Sequence, residues 1–301
     1  MFDARIPCIF FIVKCDQIWY AMRMSPLFFH PSHVIIGIHG LKNKPPKRLL
    51  KAWWIASLRE GLRLAGLPDR VFQFELVYWA NHLYSKPLNI HEKRPGNPLY
   101  LDEPYAPTLR TKNEKEKEKK SFLFRPLFRK TLNKVFMNTK TGRDAERITE
   151  TVLEHTFPDL VLYFDNEHVF NMRKGIKELL RYELIKVLKK YKKSKIMLIA
   201  HSMGSIIAFD VLYSTESVVH VFVTIGSPLG LPFVRSRFMK EHSMDFKETR
   251  KIQCPDTVLE QWINCADTHD VVAFDSTLSD NYSANSRDRK STRLNSSHRI
   301  R

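Results

Sequence analysis

The chain is poor in cysteine: Cys8, Cys15, Cys254 and Cys265 are the only four in 301 residues, and no two form a C-x-x-C pair. That scarcity argues against a disulfide-stapled scaffold, a structural zinc site and dithiol redox chemistry, and it points to a reducing compartment. Long hydrophobic runs are missing too. The best of them, Ile6 to Val13, stops at Lys14 and Asp16, well short of the ~20 apolar residues that a membrane-spanning helix needs. No small-residue cleavage site follows it, so neither a span nor a signal peptide is expected. Glycine is scarce, at ten residues, with no glycine-rich phosphate loop and no internal repeat, which removes the motifs of phosphate-binding loops and of solenoids.

Apolar and aromatic residues are plentiful, 43% and 12% of the chain. They suffice for the core of one large α/β domain or two small ones and exclude disorder as the main state. The formal charge of +17 would suggest nucleic acid or an anionic membrane as partner, but it is unevenly spread. Asp288 to His298 read DRKSTRLNSSH, which resembles the translation of a common sequencing adapter. Residues 288–301 are therefore read as an adapter-derived tail that cuts the natural frame. Without that tail the net charge is +13, and residues 109–147 alone hold thirteen Lys/Arg against five Asp/Glu, a net of +8. No nucleic-acid recognition motif accompanies this charge, so nucleic acid is not an expected partner.

Residues 33–40 read HVIIGIHG, a short β-branched run closed by glycine, as in a buried parallel strand entering a tight loop. Pro45-Pro46 precede a helical pattern at Leu49, Leu50, Trp53, Trp54, Leu58 and Leu62, and Phe72 to Trp79 alternate as a second strand. Strand, helix and strand make a right-handed βαβ start with a parallel sheet. The order returns later in the chain. Met172, Ile176, Leu179, Leu180, Leu184, Val187, Leu188 and Tyr191 mark one helical face, followed by a strand at Lys195 to Ala200 and an apolar helix at Ser205 to Tyr213. Strands at Val218 to Ile225 and Val258 to Cys265 complete the pattern.

Residues 86–166 interrupt it, with Pro87, Pro95, Pro98, Pro104 and Pro107, then the charge run KNEKEKEKK and the stretch SFLFRPLFRKTLNKVF. We read an insertion with three alternatives: a lid over an active site carrying Phe122, Phe124, Leu127 and Phe128 on its underside, a solvated charged surface, or a basic amphipathic face for acidic lipid head groups.

Residues 195–209 read KIMLIAHSMGSIIAF, a strand, a tight A-H-S-M-G turn and a helix. A sharp strand-to-helix turn demands small residues two before and two after the serine, and Ala200 and Gly204 meet that demand around Ser202. The pentad resembles the nucleophile elbow of the α/β-hydrolase superfamily, with alanine in place of the usual first glycine, as in several bacterial lipases. Upstream, IGIHGLKNKPP resembles the H-G-x oxyanion turn of the same superfamily. The resemblance implies an oxyanion hole from the backbone N–H groups of Leu41 and Met203, with His39, Gly40, Ala200, His201 and Gly204 as supporting turn residues. Together with FELVYWANHLY, LDEPYAP, VTIGSPLGLP and WINCADTHDVVAFDSTL, these segments are similar to a bacterial group of α/β-hydrolases over residues 33–287.

The fold implied is α/β: a three-layer α/β/α sandwich on a mostly parallel sheet of the α/β-hydrolase type, with the insertion as a helical or irregular lid. The hydrolase domain is set at 32–287, and 1–31 is a doubtful N-terminal extension, translation starting at Met22 or Met24. In the chain order of the superfamily an acid follows a late strand, which offers Asp267, Asp270 and Asp275. Asp270, in D-V-V-A, matches the position where relatives carry D-P-V-A, and Asp267 is the alternative. For the base, His39 and His201 sit inside the turns, His220 within a strand, His242 before the acid and His269 beside it, while His298 belongs to the tail. The catalytic histidine is therefore expected to be lost with the natural C-terminus.

The implied activity is that of a cytoplasmic serine esterase or lipase-like enzyme acting on a small-molecule or lipid ester without metal or cofactor. Residues 109–147 are an expected site of peripheral contact with anionic membrane. An acyltransferase is the nearest variant, and a noncatalytic membrane-associated or protein-binding module on the same scaffold is the alternative from another class.

Overall fold

The computed structural model describes residues 32–69, 71–102, 104–105, 158–164, 175–242, 251–265 and 278–285. Five strands form the central sheet: β1 (His33–Ile38), β2 (Gln73–Val77), β3 (Lys195–His201), β4 (Val219–Ile225) and β6 (Val258–Cys265). They are parallel throughout, in the order β2-β1-β3-β4-β6. A two-stranded parallel ladder joins β5 (Ile252–Gln253) to β7 (Tyr282–Ser283).

Both faces of the sheet are covered, so its strands read as near-continuous apolar runs. Side chains alternate across the strands: Val34, Ile36 and Ile38 of β1 enter one core, and Ile35 enters the other. The second core is closed by α1 (Lys47–Leu64), which buries Leu50, Trp54, Leu58 and Leu62 at four-residue spacing. The first core is closed by α2 (Pro158–Phe164), α3 (Ile176–Lys190), α4 (Met203–Ser214) and α5 (Pro232–Glu241). Each fully buried aliphatic or phenylalanine side chain contributes about 1.5–3 kcal/mol to this packing.

Three details depart from the pattern read in the sequence. Leu179, assigned there to the buried face of α3, is exposed, because the seam follows Ile176, Leu180, Leu184 and Leu188 instead. Pro158–Phe164 lies within the span read as an insertion, yet Leu160, Tyr163 and Phe164 are core residues. Of the described cysteines, Cys254 is a buried free thiol, but Cys265 at the end of β6 is disulfide-bonded, a pairing that the wide cysteine spacing had not suggested. The apolar residues expected under a lid, Phe122, Phe124, Leu127 and Phe128 in that stretch, lie outside the described residues.

A polar network is sealed among the helices of the first core. Asp210, buried in the otherwise apolar α4, accepts the Tyr163 hydroxyl at 2.6 Å and pairs with Lys177 at 3.3 Å and His242 at 3.4 Å. Burial alone would push its carboxyl up, but His242, Lys177, Tyr163 and Arg181 together hold it down at about 2. Asp210, Glu241 and His242 are also metal-ligand types within reach of one another. The cation among them is the Lys177 ammonium, 2.5 Å from Glu241.

Asp210→Ala leaves Lys177 and Arg181 without their buried partner and is expected to cost about 3–5 kcal/mol in urea unfolding at pH 7. Because the folded-state value lies below the ordinary 3.8, the carboxylate stabilises fully above that pH and progressively less as pH falls toward 2. The gap between wild type and variant should close over that window.

Candidate active site

The strand order places the site. From β1 the chain runs outward to β2 at one edge, then crosses back past β1 to β3 and continues to β4 and β6. The order thus reverses between β1 and β3, and ligands of open parallel sheets bind outside the carboxyl ends of the strands at such a switch point. Ile38 pairs with Ala200 in register, so the turns after these two strands, at Gly40 and at Ser202, leave the sheet side by side.

Ser202 joins β3 to α4 with φ 49° and ψ −126°. This is the conformation of the first central residue of a type II′ turn, normally the place of glycine. It costs a side-chain-bearing residue about 1–3 kcal/mol, and the surrounding structure has to impose it. The Ser202 N–H donates to Ile225 O at 2.9 Å, and the Ser202 carbonyl accepts the Ser205 N–H at 2.8 Å. The Ser205 hydroxyl donates to that same carbonyl at 2.6 Å and meets the Ser227 hydroxyl at 2.7 Å. Ser227 in turn accepts the Leu229 N–H at 3.3 Å. With both Ser205 donors spent on the carbonyl, Ser227 must be the donor between the two hydroxyls.

The crowding of the two turns explains their small residues. A Cβ on Gly204 would lie 2.6 Å from the His39 carbonyl oxygen and 2.8 Å from that of Ile38, and a Cβ on Gly40 would lie 2.7 Å from the Ser202 Cβ. Ala200 is fully buried beneath them. The same closeness puts two amides at the serine. Met203 is the first residue of α4, where N–H groups have no intrahelical acceptor and the helix dipole favours negative charge. Among the described residues, no acceptor takes the N–H of Met203 or of Leu41.

His39 is part of the turn. Its Nδ1–H donates to Gly40 O at 2.9 Å, and its Nε2 accepts the Trp79 N–H at 3.1 Å. Trp79 returns its indole N–H to the His39 carbonyl at 3.0 Å and stacks on the imidazole at 4.5 Å. Burial and the nearby Lys44 hold His39 well below the ordinary histidine range, so it stays neutral with both nitrogens engaged. It orients backbone and has no lone pair left for Ser202.

Three further described histidines are engaged elsewhere. His220 accepts the Ile196 N–H at 3.3 Å near the amino-terminal end of the sheet, His242 faces Asp210, and His82 meets Glu183. Among the described residues, none is hydrogen-bonded to the Ser202 hydroxyl. β6 delivers the chain to the same sheet edge at Cys265, but Asp267, Asp270, Asp275 and His269 beyond it, like His298, lie outside the described residues. The structure thus brings together Leu41, Met203, Ser202 and their supporting residues His39, Gly40, Ala200, His201 and Gly204.

Ser205, Ser227 and Asp159, whose carboxylate accepts the Lys42 N–H beside the turn at 2.7 Å, were missed in the sequence. A hydroxyl one turn into an apolar helix was the one available signal for Ser205, and nothing local marked the others. No protein-family model matches the chain, and no significant match to a curated protein or a solved structure is found.

Proposed function

We propose that the protein is a serine hydrolase of the α/β-hydrolase kind, with Ser202 as nucleophile and a small-molecule or lipid carboxylic ester as substrate. The observation that carries this reading is the strained φ of Ser202 at the sheet's switch point, beside the N–H groups of Leu41 and Met203, which no acceptor takes among the described residues. Strain of this kind persists where function requires it.

In the proposed reaction a histidine takes the Ser202 proton while Oγ bonds to the acyl carbon, and the carbonyl electron pair moves onto an oxygen held by the Leu41 and Met203 amides. The C–O bond to the alcohol then breaks, and the alcohol leaves with the proton from the imidazolium. Water repeats the sequence on the acyl-serine and releases the acid. Asp270, or Asp267 in its place, would orient the histidine. An acyltransferase differs only in using another alcohol or amine in the second half.

A noncatalytic module on the same scaffold is favoured by one observation: His39, His82, His220 and His242 are all committed away from Ser202. On that reading residues 109–147 are the working surface. Peripheral contact of 109–147 with anionic membrane, within a cytoplasmic setting, belongs to the proposal. It rests on charge and cysteine spacing. No described helix is long and apolar enough to cross a membrane.

Incubation with a fluorophosphonate probe followed by peptide mapping separates the two readings. The hydrolase reading expects one adduct, on Ser202, formed by the native protein and not after heat denaturation. Absence of that adduct from a protein that carries the candidate base overturns it in favour of the noncatalytic module.

A further inference from the structure

The Leu41 amide is held from both sides, by two local contacts and by one from a distant part of the chain. A peptide unit is planar, so fixing its carbonyl fixes the direction of its N–H. Gly40 O is taken by His39, which sets the plane carrying the Leu41 N–H. Leu41 O is taken by the Lys44 ammonium, and the next N–H, that of Lys42, donates to Asp159 Oδ2 at 2.7 Å.

Lys42 needs such a hold, because its φ of 69° lies in the left-handed region that a lysine adopts only under constraint. The other oxygen of the same carboxylate, Asp159 Oδ1, accepts the Tyr84 hydroxyl at 2.8 Å. Asp159 is 4% exposed, so both bonds are charge-assisted and shielded from water. Burial and Asp159 itself push the Tyr84 phenol up, which keeps it a donor.

We propose that Asp159 is a positioning residue for the oxyanion turn: its carboxylate clamps Lys42 in the left-handed conformation against Tyr84 and thereby aims the Leu41 N–H at the site. The inference rests on the hydrolase reading of Ser202 and deepens it. Asp159 lies in the first turn of α2, a short helix within the span 86–166, 117 positions from the amide it holds. That span then contains a working part of the site, and a shift of α2 would be felt at the oxyanion turn before it was felt at Ser202.

Two readouts on the full chain test this with Asp159→Ala, Asp159→Asn and Tyr84→Phe. Amide hydrogen exchange of the peptide spanning 39–44 does not depend on catalysis. It should quicken about tenfold or more in Asp159→Ala, less in Tyr84→Phe, and little in Asp159→Asn, whose side-chain oxygen still accepts the Lys42 N–H. The second-order rate of fluorophosphonate labelling should fall about 10- to 100-fold in Asp159→Ala, in keeping with loss of an aligned oxyanion donor. It should stay within about threefold of wild type in Asp159→Asn.

Undiminished labelling by folded Asp159→Ala overturns the proposal while leaving the hydrolase reading intact, and unchanged exchange overturns the clamp itself. If wild type is not labelled but exchange still quickens, the hydrolase reading fails and the clamp stands. Should Asp159→Ala not fold, Tyr84→Phe carries the test, and wild-type exchange and labelling in that variant count against the clamp.

Discussion

Ser202→Ala is expected to lose fluorophosphonate labelling and ester turnover completely while unfolding at nearly the wild-type urea concentration. Both halves follow from the same geometry. Only Oγ can form the bond to phosphorus or to an acyl carbon, so its removal leaves no nucleophile. The hydroxyl accepts and donates no hydrogen bond among the described residues, so its deletion should change stability by no more than about 0.5 kcal/mol.

Ser202→Gly sharpens the result. At φ 49° and ψ −126° a serine carries about 1–3 kcal/mol of strain, and glycine relieves it at an entropic cost of about 0.5–1 kcal/mol. The glycine variant should therefore be as inactive as the alanine variant and more stable than wild type by about 1 kcal/mol. A glycine variant less stable than wild type would show that the backbone at Ser202 is relaxed, and the argument from strain would fall with it.

The second large effect is expected at Gly204, where two lines of reasoning give opposite signs. Gly204 lies in the first turn of α4, and helix propensity alone would make Gly204→Ala stabilising by up to about 1 kcal/mol. The tertiary contacts predict the reverse. The new methyl would sit 2.6 Å from His39 O and 2.8 Å from Ile38 O. Both atoms are main chain at the end of a fully buried strand, so neither can swing aside as a flexible side chain would.

Relief requires α4 and the end of β1 to separate, and overpacking of this sort costs about 3 kcal/mol or slightly more. Separation also draws Met203 away from Leu41. The variant should thus unfold at lower urea and label more slowly by about tenfold or more, well below its unfolding transition. A stabilised, fully labelled alanine variant would mean that strand and helix are not in contact at Gly204.

Much of the architecture was legible in the sequence because single-element rules suffice for it. β1, β3 and β4 lie buried on both sides, and their β-branched runs fall within two residues of the expected ends. The four-residue spacing of Leu50, Trp54, Leu58 and Leu62 is likewise the buried stripe of α1. Where the reading failed, the missing information was a neighbour. Leu179 has the spacing of a buried residue, but α3 meets the core along a seam that misses it. Pro158–Phe164 follows a proline-rich, charged stretch with no regular pattern, yet it packs Tyr163 and Phe164 into the core.

The site divides along the same line. By itself the sequence determined that a serine sits in a tight strand-to-helix turn flanked by small residues, because steric demands within five consecutive residues are local. It also determined that a glycine turn follows the first strand. Tertiary structure decided the rest. The parallel register of Ile38 with Ala200 set the two turns side by side, and Trp79 supplied the partner that braces His39 in the turn. Asp210 found Tyr163 and Lys177 on other helices, and Asp159 reached an amide 117 positions away. Hydrogen bonds and ion pairs are short-ranged in space and indifferent to separation along the chain, so which polar groups meet is settled only when the sheet order and helix packing bring them together.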